Sequence, residues 1–110
     1  MTPGERLKEL IEYQERTDRN QGNIGDILNA FVSEYHAAIL QYPDWPTDPV
    51  HAASILAEEA GEALKEANNY RWQHKRSPEE SFERMRREAI QTGAMAIRFL
   101  LGFEDYEGGR

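Results

Sequence analysis

The chain has 110 residues, of which 30% are charged and 39% hydrophobic, and its formal net charge is −7. This length predicts one domain, and the acidic balance argues against DNA or RNA as a main partner, because nucleic-acid-binding domains usually carry a basic face. The absence of cysteine excludes disulfides, zinc–thiolate sites, iron–sulfur clusters and cysteine nucleophiles.

Location and assembly follow from the same bulk features. No stretch approaches the ~18 apolar residues that a membrane span needs, and the N-terminal sequence MTPGERLKEL has no apolar signal core. We therefore expect a cytoplasmic protein with no membrane partner. Because a core built from a chain of this size is modest, subunits are expected to share apolar surface in a homodimer or homotetramer.

The first half of the sequence predicts two helices. The helical spacing of Leu7, Leu10 and Ile11 predicts a helix over about 4–17, and the glycines and asparagines of DRNQGNIGD are expected to end it. A second helix is predicted over about 24–42. Its apolar stripe consists of Ile27, Leu28, Phe31, Val32, Tyr35, Ile39 and Leu40. The segment YPDWPTDP ends this helix, because its three prolines cannot continue one.

The second half predicts two further helices with clear starts. Asp48 is suited to cap a third helix over about 49–70, because the proline that follows it fits the first helical position. Ser77 is suited to cap a fourth helix over about 78–101, again followed by proline, with Glu80 completing a capping box. The polar, basic segment NNYRWQHKR connects the two helices.

No alternating strand pattern or internal repeat is present, so the predicted fold class is all-α. We expect one four-helix bundle-like domain over 1–101 with antiparallel neighbours, completed by oligomerisation. The glycine-bearing acidic segment over 102–110 is predicted to be a flexible C-terminal tail.

Carboxylates continue the apolar stripe of the third predicted helix. Residues three or four apart share a helix face, so Glu59 and Glu62 extend the line set by Ile55. Glu58 lies beside them, one turn before Glu62. Glutamate is a strong helix former, so a solvated acidic face explains this run, taken alone, as well as a metal site does.

The fourth predicted helix repeats the arrangement and favours a metal site. Glu88 and Gln91 share a face with Met95, and several carboxylates buried together repel one another unless something compensates them. A divalent cation does so directly, and Mg²⁺ or Mn²⁺ prefers oxygen ligands of this kind. Gly61 and Gly93, beside the two pairs, would let the helices approach closely.

The segments LAEEAGEALKEA and REAIQTGAMAIRFL resemble the EExxE…ExxD signature of the all-α nucleoside triphosphate pyrophosphohydrolases. These are the MazG-like enzymes, related to all-α dUTPases, dCTP pyrophosphatases and phosphoribosyl-ATP pyrophosphohydrolase. The resemblance covers about 31–101. It implies a helical bundle that holds Mg²⁺ between two helices and hydrolyses a (deoxy)nucleoside triphosphate to the monophosphate and pyrophosphate.

The resemblance also implies roles for individual residues. Glu59, Glu62 and Glu88 take the metal-ligand positions, and Glu58 becomes a candidate for orienting or deprotonating the attacking water. Gln91 takes the position where the family usually has Asp. Its side-chain oxygen can reach a cation but brings no charge, so the site is expected to hold fewer metal ions or to hold them more weakly.

Substrate contacts are predicted outside the acidic motif. Lys65 is a candidate phosphate contact or, equally, a solvated partner of nearby glutamates. His36, Trp45 and Trp72 resemble the His and Trp residues that hold base and sugar in the dCTP-pyrophosphatase branch, although packing at a helix corner or an interface also explains the tryptophans. His51 is either a pocket residue or an exposed first-turn residue.

Two other functions remain open at this point. Gln91 favours a catalytically weak nucleotide-binding or regulatory module, and a solvated acidic face would fit a plain helical oligomerisation protein. The sequence does not specify the base or the sugar.

Overall fold

The computed structural model describes residues 1–108, except for the side chains of residues 17–22. The elements, in chain order, are α1 (Pro3–Gln41), α2 (Pro49–Asn68), a π-helical turn (Asn69–Gln73), α3 (Pro78–Leu101) and a 3₁₀ turn (Gly102–Glu104). All regular structure in the described residues is helical, so the predicted all-α class is confirmed. None of the helices described combines the length and the apolar character that spanning a membrane requires.

The predicted break between the first two helices is wrong. The backbone is helical throughout Pro3–Gln41, including the DRNQGNIGD segment. Glycine and asparagine lower helix propensity by at most about 1 kcal/mol each and, unlike proline, leave every backbone hydrogen bond possible. The chain nevertheless forms two compact units, Met1–Ala30 and Phe31–Arg110. In the first unit the apolar side chains are exposed, including Leu7 and Leu10.

Both predicted caps are confirmed. The side chain of Asp48 accepts a hydrogen bond from the backbone nitrogen of Val50 at 3.0 Å, and that of Ser77 accepts one from Glu80 at 3.3 Å. Each cap is followed by proline at the start of the helix. The entry points of α2 and α3 are therefore fixed by local chemistry, as the sequence indicates.

The second unit packs around small residues. α2 and α3 lie against each other, with Ala52 of α2 and Ala94 of α3 fully buried. Phe31 of α1 lies on Gly93 of α3, where a Cβ would come within 2.7 Å of the ring. The two glycines were predicted to let α2 and α3 approach closely. At Gly93 the nearest atoms belong instead to Phe31 of α1, and at Gly61 the prediction is wrong, because nothing lies within 4 Å of a Cβ there.

A partly buried ion pair joins the last turn of α2 to the end of the α2–α3 connection. Arg76 Nη1 donates to Glu66 Oε2 at 2.7 Å, and Glu66 is 8% exposed. His74 ends the π-helical turn in the left-handed conformation, with φ of 50°. Loss of Arg76 would leave the buried carboxylate of Glu66 unpaired, so this bond helps to hold the connection in place.

Residues 102–107, predicted to form a flexible tail, fold back in the structure. Their anchor is the segment 42–48 between α1 and α2, which we call the Trp45 loop. Trp45 Nε1 donates to the Tyr106 hydroxyl at 2.9 Å, and that hydroxyl donates to the carbonyl oxygen of Phe99 at 2.8 Å. Glu107 N also donates to the carbonyl oxygen of Thr47 at 2.9 Å. Residues 109–110 lie outside the described part of the chain.

Replacing Tyr106 with phenylalanine tests this anchor. The change removes the hydroxyl that both bonds share, so we expect a loss of about 1 kcal/mol in the free energy of unfolding. Urea unfolding would measure the loss, and Trp45 fluorescence should shift because the indole N–H loses its acceptor. Tyr42→Phe is the control, since Tyr42 is exposed. Unchanged stability and emission in Tyr106→Phe would mean that the anchor contributes nothing.

Candidate active site

The polar pairs of α2 and α3 meet through the amide of Gln91. With the amide oriented so that it satisfies both carboxylates, its nitrogen lies 3.1 Å from Glu88 Oε2 and 3.2 Å from Glu59 Oε2 and donates to both. The amide is oriented in this way because the opposite orientation would place its oxygen against two carboxylates. Glu59, Gln91 and Glu88 thus form one contact cluster between the helices, which we call the acidic cluster.

Burial and neighbouring carboxylates both disfavour the charged form of Glu59. Its pKa is raised above the ordinary value. The causes, in descending order, are desolvation by burial and the negative charges of Glu88, Glu58, Glu62 and Glu34. Carboxylates from α1, α2 and α3 therefore act on a single side chain, and the site favours any positively charged group that reduces their repulsion.

Glu34 is the member that the sequence reasoning missed. It lies on α1, half-buried, and lines the same cavity as Glu59 and Gln91. A signal was available, because Glu34, Ala38 and Gln41 are spaced by four and three residues and share one helix face. A helix face assigned from its large apolar residues alone does not reveal the carboxylate beside them.

A cavity of about 840 Å³ extends from the acidic cluster. Glu59 and Gln91 line one part of it, and Trp45, Tyr42 and His51 contribute aromatic rings elsewhere. Its size is in the range of small-molecule sites, roughly 300–1,000 Å³. The cavity thus combines an acidic region with flat ring surfaces, an arrangement suited to a ligand with one highly charged and one planar part.

The remaining motif carboxylates lie at the edge of the cluster. Glu58 and Glu62 are exposed, while Glu59 and Glu88 are half-buried. Among the described residues, no three carboxylate or imidazole groups are placed to hold a metal ion as they stand. The donor set still fits Mg²⁺, since it supplies hard oxygens, but Gln91 would ligate only after its amide turned to present its oxygen.

Of the three residues predicted to contact the base, only Trp45 lies in the lining of the cavity. Trp45 lines the cavity, and so does His51, whose role the sequence left open. His36 is exposed and stands edge-on to Tyr35, with ring centroids 5.3 Å apart. Trp72 is 71% exposed with Arg71 over its ring. Neither His36 nor Trp72 is in the lining of the cavity.

Lys65, the predicted phosphate contact, faces a different part of the second unit. It lines a separate depression together with Lys75 and Arg76. The i, i+3 spacing from Glu62 placed Lys65 near the motif in sequence, but the helix turns its side chain toward the connection between α2 and α3. In this arrangement Lys65 does not share the cavity that contains Glu59.

Comparison with known proteins adds no family assignment. No family model, no curated protein and no solved structure matches this chain. What the protein does is therefore inferred from the acidic cluster and the cavity beside it.

The raised pKa of Glu59 predicts a specific pH dependence. Because the folded state binds this proton more tightly than the unfolded state, the contribution of Glu59 to stability falls as the pH rises through the folded pKa. Glu59→Gln should therefore be more stable than wild type at neutral pH, and its advantage should shrink as the pH falls toward 4.5, the ordinary glutamate value. Urea unfolding across this range without metal measures the difference.

Glu12→Gln is the matched control for that series, because Glu12 is exposed on α1. It should change stability little, with no comparable dependence on pH. A Glu59→Gln variant that is no more stable than wild type at neutral pH would contradict the assignment of Glu59 as the centre of charge repulsion.

Proposed function

We propose that this protein is a metal-dependent nucleoside triphosphate pyrophosphohydrolase of the MazG-like kind, which hydrolyses a (deoxy)nucleoside triphosphate to the monophosphate and pyrophosphate. The observation that carries the proposal is the meeting of Glu59, Gln91 and Glu88 beside a cavity with aromatic walls. The acidic cluster suits the cation that a triphosphate brings, and the rings suit a nucleobase. The motif resemblance on the same residues supports this choice of substrate.

Mg²⁺, or Mn²⁺ in its place, would be held by Glu59, Glu62, Glu88 and, with its amide turned, Gln91. When bound, the ion would supply charge neutralisation of the phosphates and a more acidic bound water. Glu34 adds a further negative charge from α1, which helps offset the charge that Gln91 lacks compared with the usual Asp.

The protein's own groups would position the reactants. Glu58 is exposed beside Glu59, where its carboxylate can orient or deprotonate a water that approaches from solvent. Trp45 offers ring surface to the base, and His51 can donate a hydrogen bond from the same cavity. The charged and planar parts of one ligand would thereby contact different parts of the cavity wall, which fixes its direction in the cavity.

We propose that the active form is a homodimer or homotetramer. No large side chain is fully buried among the described residues, although buried large apolar side chains normally supply most of the stability of a domain. Large apolar residues such as Leu64, Phe82 and Leu100 are exposed in the second unit. Sedimentation equilibrium would test this, and a stable monomer at micromolar concentration would contradict it.

Pyrophosphate release tests the proposed activity. The protein is incubated with each of the common dNTPs and NTPs in Mg²⁺, in Mn²⁺ and in chelator, and pyrophosphate and monophosphate are both quantified. The expected result is equimolar release of the two products that depends on the metal ion. Release of inorganic phosphate and a diphosphate would indicate a different cleavage, and no release from any substrate would reject the enzymatic proposal.

The second candidate is a nucleotide-binding module with little turnover. It is favoured by the Gln91 amide, which donates to both Glu59 and Glu88 and so reduces the repulsion between the two carboxylates without a cation. Thermal melts with nucleotide and Mg²⁺ distinguish the two, because the module predicts a raised melting temperature without product.

Replacing Gln91 with aspartate should lower the melting temperature when no metal is present and strengthen the binding of Mg²⁺ when it is present. In chelator, Gln91→Asp exchanges a donor between two carboxylates for a third negative charge, so the melting temperature should fall. With Mg²⁺, the extra charged oxygen should strengthen binding and keep or raise the rate of pyrophosphate release. Gln73→Asp, in the π-helical turn, is the control. A fall in melting temperature that Mg²⁺ does not reverse would contradict the role of Gln91 as a ligand.

A further inference from the structure

Arg98 is a buried guanidinium with few partners. It lies on α3 and is 7% exposed. Its Nη2 donates to the carbonyl oxygen of Asp44 at 3.2 Å, and its guanidinium carbon lies 4.7 Å from the centroid of the Trp45 ring. Among the described residues, no carboxylate oxygen lies within 4.0 Å of it. Arg98 therefore brings a positive charge into the second unit without an adjacent negative charge.

Arg98 has unused donors and lines two cavities. A guanidinium has five N–H donors, and the side chain makes one hydrogen bond to a described residue. No side-chain nitrogen of a non-exposed described residue is both sealed from solvent and without a hydrogen-bond partner. The donors without a protein partner are therefore accessible, and one of the two cavities is the cavity beside the acidic cluster. A ligand that brings acceptors there would complete the hydrogen bonding of Arg98.

Arg98 lies at a fixed distance from the acidic cluster. It follows Gln91 by seven positions on α3, which is two turns, or about 10 Å along the helix axis, on the same face. Both residues line one cavity, and Trp45 contributes to its wall beside Arg98. If the phosphates of a nucleotide are directed to the acidic cluster, the opposite end of the molecule, the base, reaches Arg98.

We propose that Arg98 is a specificity-determining residue that binds a ring carbonyl oxygen of the nucleobase. The identity of the ligand as a nucleotide rests on the proposed function above. Guanine, hypoxanthine, cytosine, thymine and uracil carry such an oxygen, and arginine donating to a base carbonyl is a common specific contact. Adenine has an amino group where guanine and hypoxanthine have the oxygen. A donor would then face a donor, and neither would be paired.

Contacts with neighbouring residues restrict the Arg98 side chain before a ligand binds. Trp45 stabilises the guanidinium through a cation–π interaction, and Tyr106 accepts the indole N–H, which fixes the ring in turn. The carbonyl of Asp44 holds Nη2. Because these contacts restrict the side chain before a ligand arrives, little conformational entropy is lost when the base binds.

The test compares deoxyinosine with deoxyadenosine, which differ in a 6-carbonyl against a 6-amino group. Binding of each nucleoside to the full chain is measured by NMR titration in metal-free buffer, so that neither the phosphates nor the cation contribute. Wild type should bind deoxyinosine roughly tenfold or more tightly than deoxyadenosine. Arg98→Met should remove the preference, and Arg98→Lys should weaken it because lysine lacks the planar fork of donors. Arg87→Met, an exposed position on α3, should leave it unchanged.

Three outcomes overturn the assignment: no binding of either nucleoside by wild type, equal binding of both, or a preference that survives in Arg98→Met. If circular dichroism shows that Arg98→Met does not fold, the preference of Arg98→Lys for deoxyinosine over deoxyadenosine is used instead, and an unweakened preference overturns the assignment. The ratio of kcat/KM for dITP and dATP gives an independent reading. Pyrophosphate release without this preference would contradict only the role of Arg98, and preference without release would contradict only the proposed enzymatic activity.

Discussion

Glu59→Ala is expected to abolish pyrophosphate release while the helical circular dichroism signal stays intact. Glu59 is the carboxylate on which charges from three helices act, and it contacts Gln91 directly. Changing a residue that only supports a metal ligand typically costs 10–100-fold, so loss of a ligand itself should cost roughly 100-fold or more in kcat/KM. The rate is measured with the best substrate at saturating Mg²⁺.

Two further variants test which carboxylates bind the cation and whether the loss of activity is specific to the acidic cluster. Glu62→Ala should also abolish release if the exposed Glu62 turns inward to hold the cation, whereas Glu12→Ala on the first unit should have no effect. Wild-type turnover by Glu59→Ala would show that the reaction does not take place at the acidic cluster. Loss of turnover in Glu59→Ala alone would restrict the ligand set to the residues that already touch.

Gly93→Ala is expected to destabilise the protein. The added Cβ would lie 2.7–2.8 Å from three ring atoms of Phe31, so the ring or α3 must move. Overpacking of this kind costs about 1–3 kcal/mol, offset in part by the gain of about 1 kcal/mol in helix propensity. Gly93→Val should lose more, because a larger side chain meets the same ring. Urea unfolding gives the free energies.

Gly61→Ala is the matched control, since it lies within α2 and a Cβ there meets nothing within 4 Å. It should raise the free energy of unfolding by up to about 1 kcal/mol. Combining Gly93→Ala with Phe31→Leu should recover part of the loss, because the smaller side chain gives the Cβ room. Equal stability changes at the two glycines would show that Phe31 does not press on Gly93.

The starts of α2 and α3 could be predicted because the chemistry that fixes them is local. Asp48 and Ser77 each accept a hydrogen bond from a residue two or three positions along, and the adjacent prolines set the first helical φ. The break predicted in α1 was also a local inference, but it relied on weak preferences. Glycine and asparagine disfavour a helix only slightly, so neighbouring residues can carry the helix through them.

The sequence allowed the residues of the acidic cluster to be predicted, but not the orientations of their side chains. Periodicity placed Glu59 and Gln91 on facing stripes, and the structure brings them together. Periodicity does not give rotamers, so it could not show that the Gln91 amide would donate to both carboxylates. Nor could it show that His51 lines the cavity and His36 does not, because that depends on how the Trp45 loop turns between α1 and α2.

The bond between Trp45 and Tyr106 joins positions 61 residues apart, and this separation has a consequence during synthesis. Chains grow from the N-terminus, so the Trp45 loop leaves the ribosome well before the segment that secures it. Until residue 106 has emerged, the indole has no hydroxyl to hold it and Arg98 has no fixed ring beneath it. The nascent protein can form α2 and cap it early, but the cavity wall at Trp45 is secured only after residue 106 has emerged.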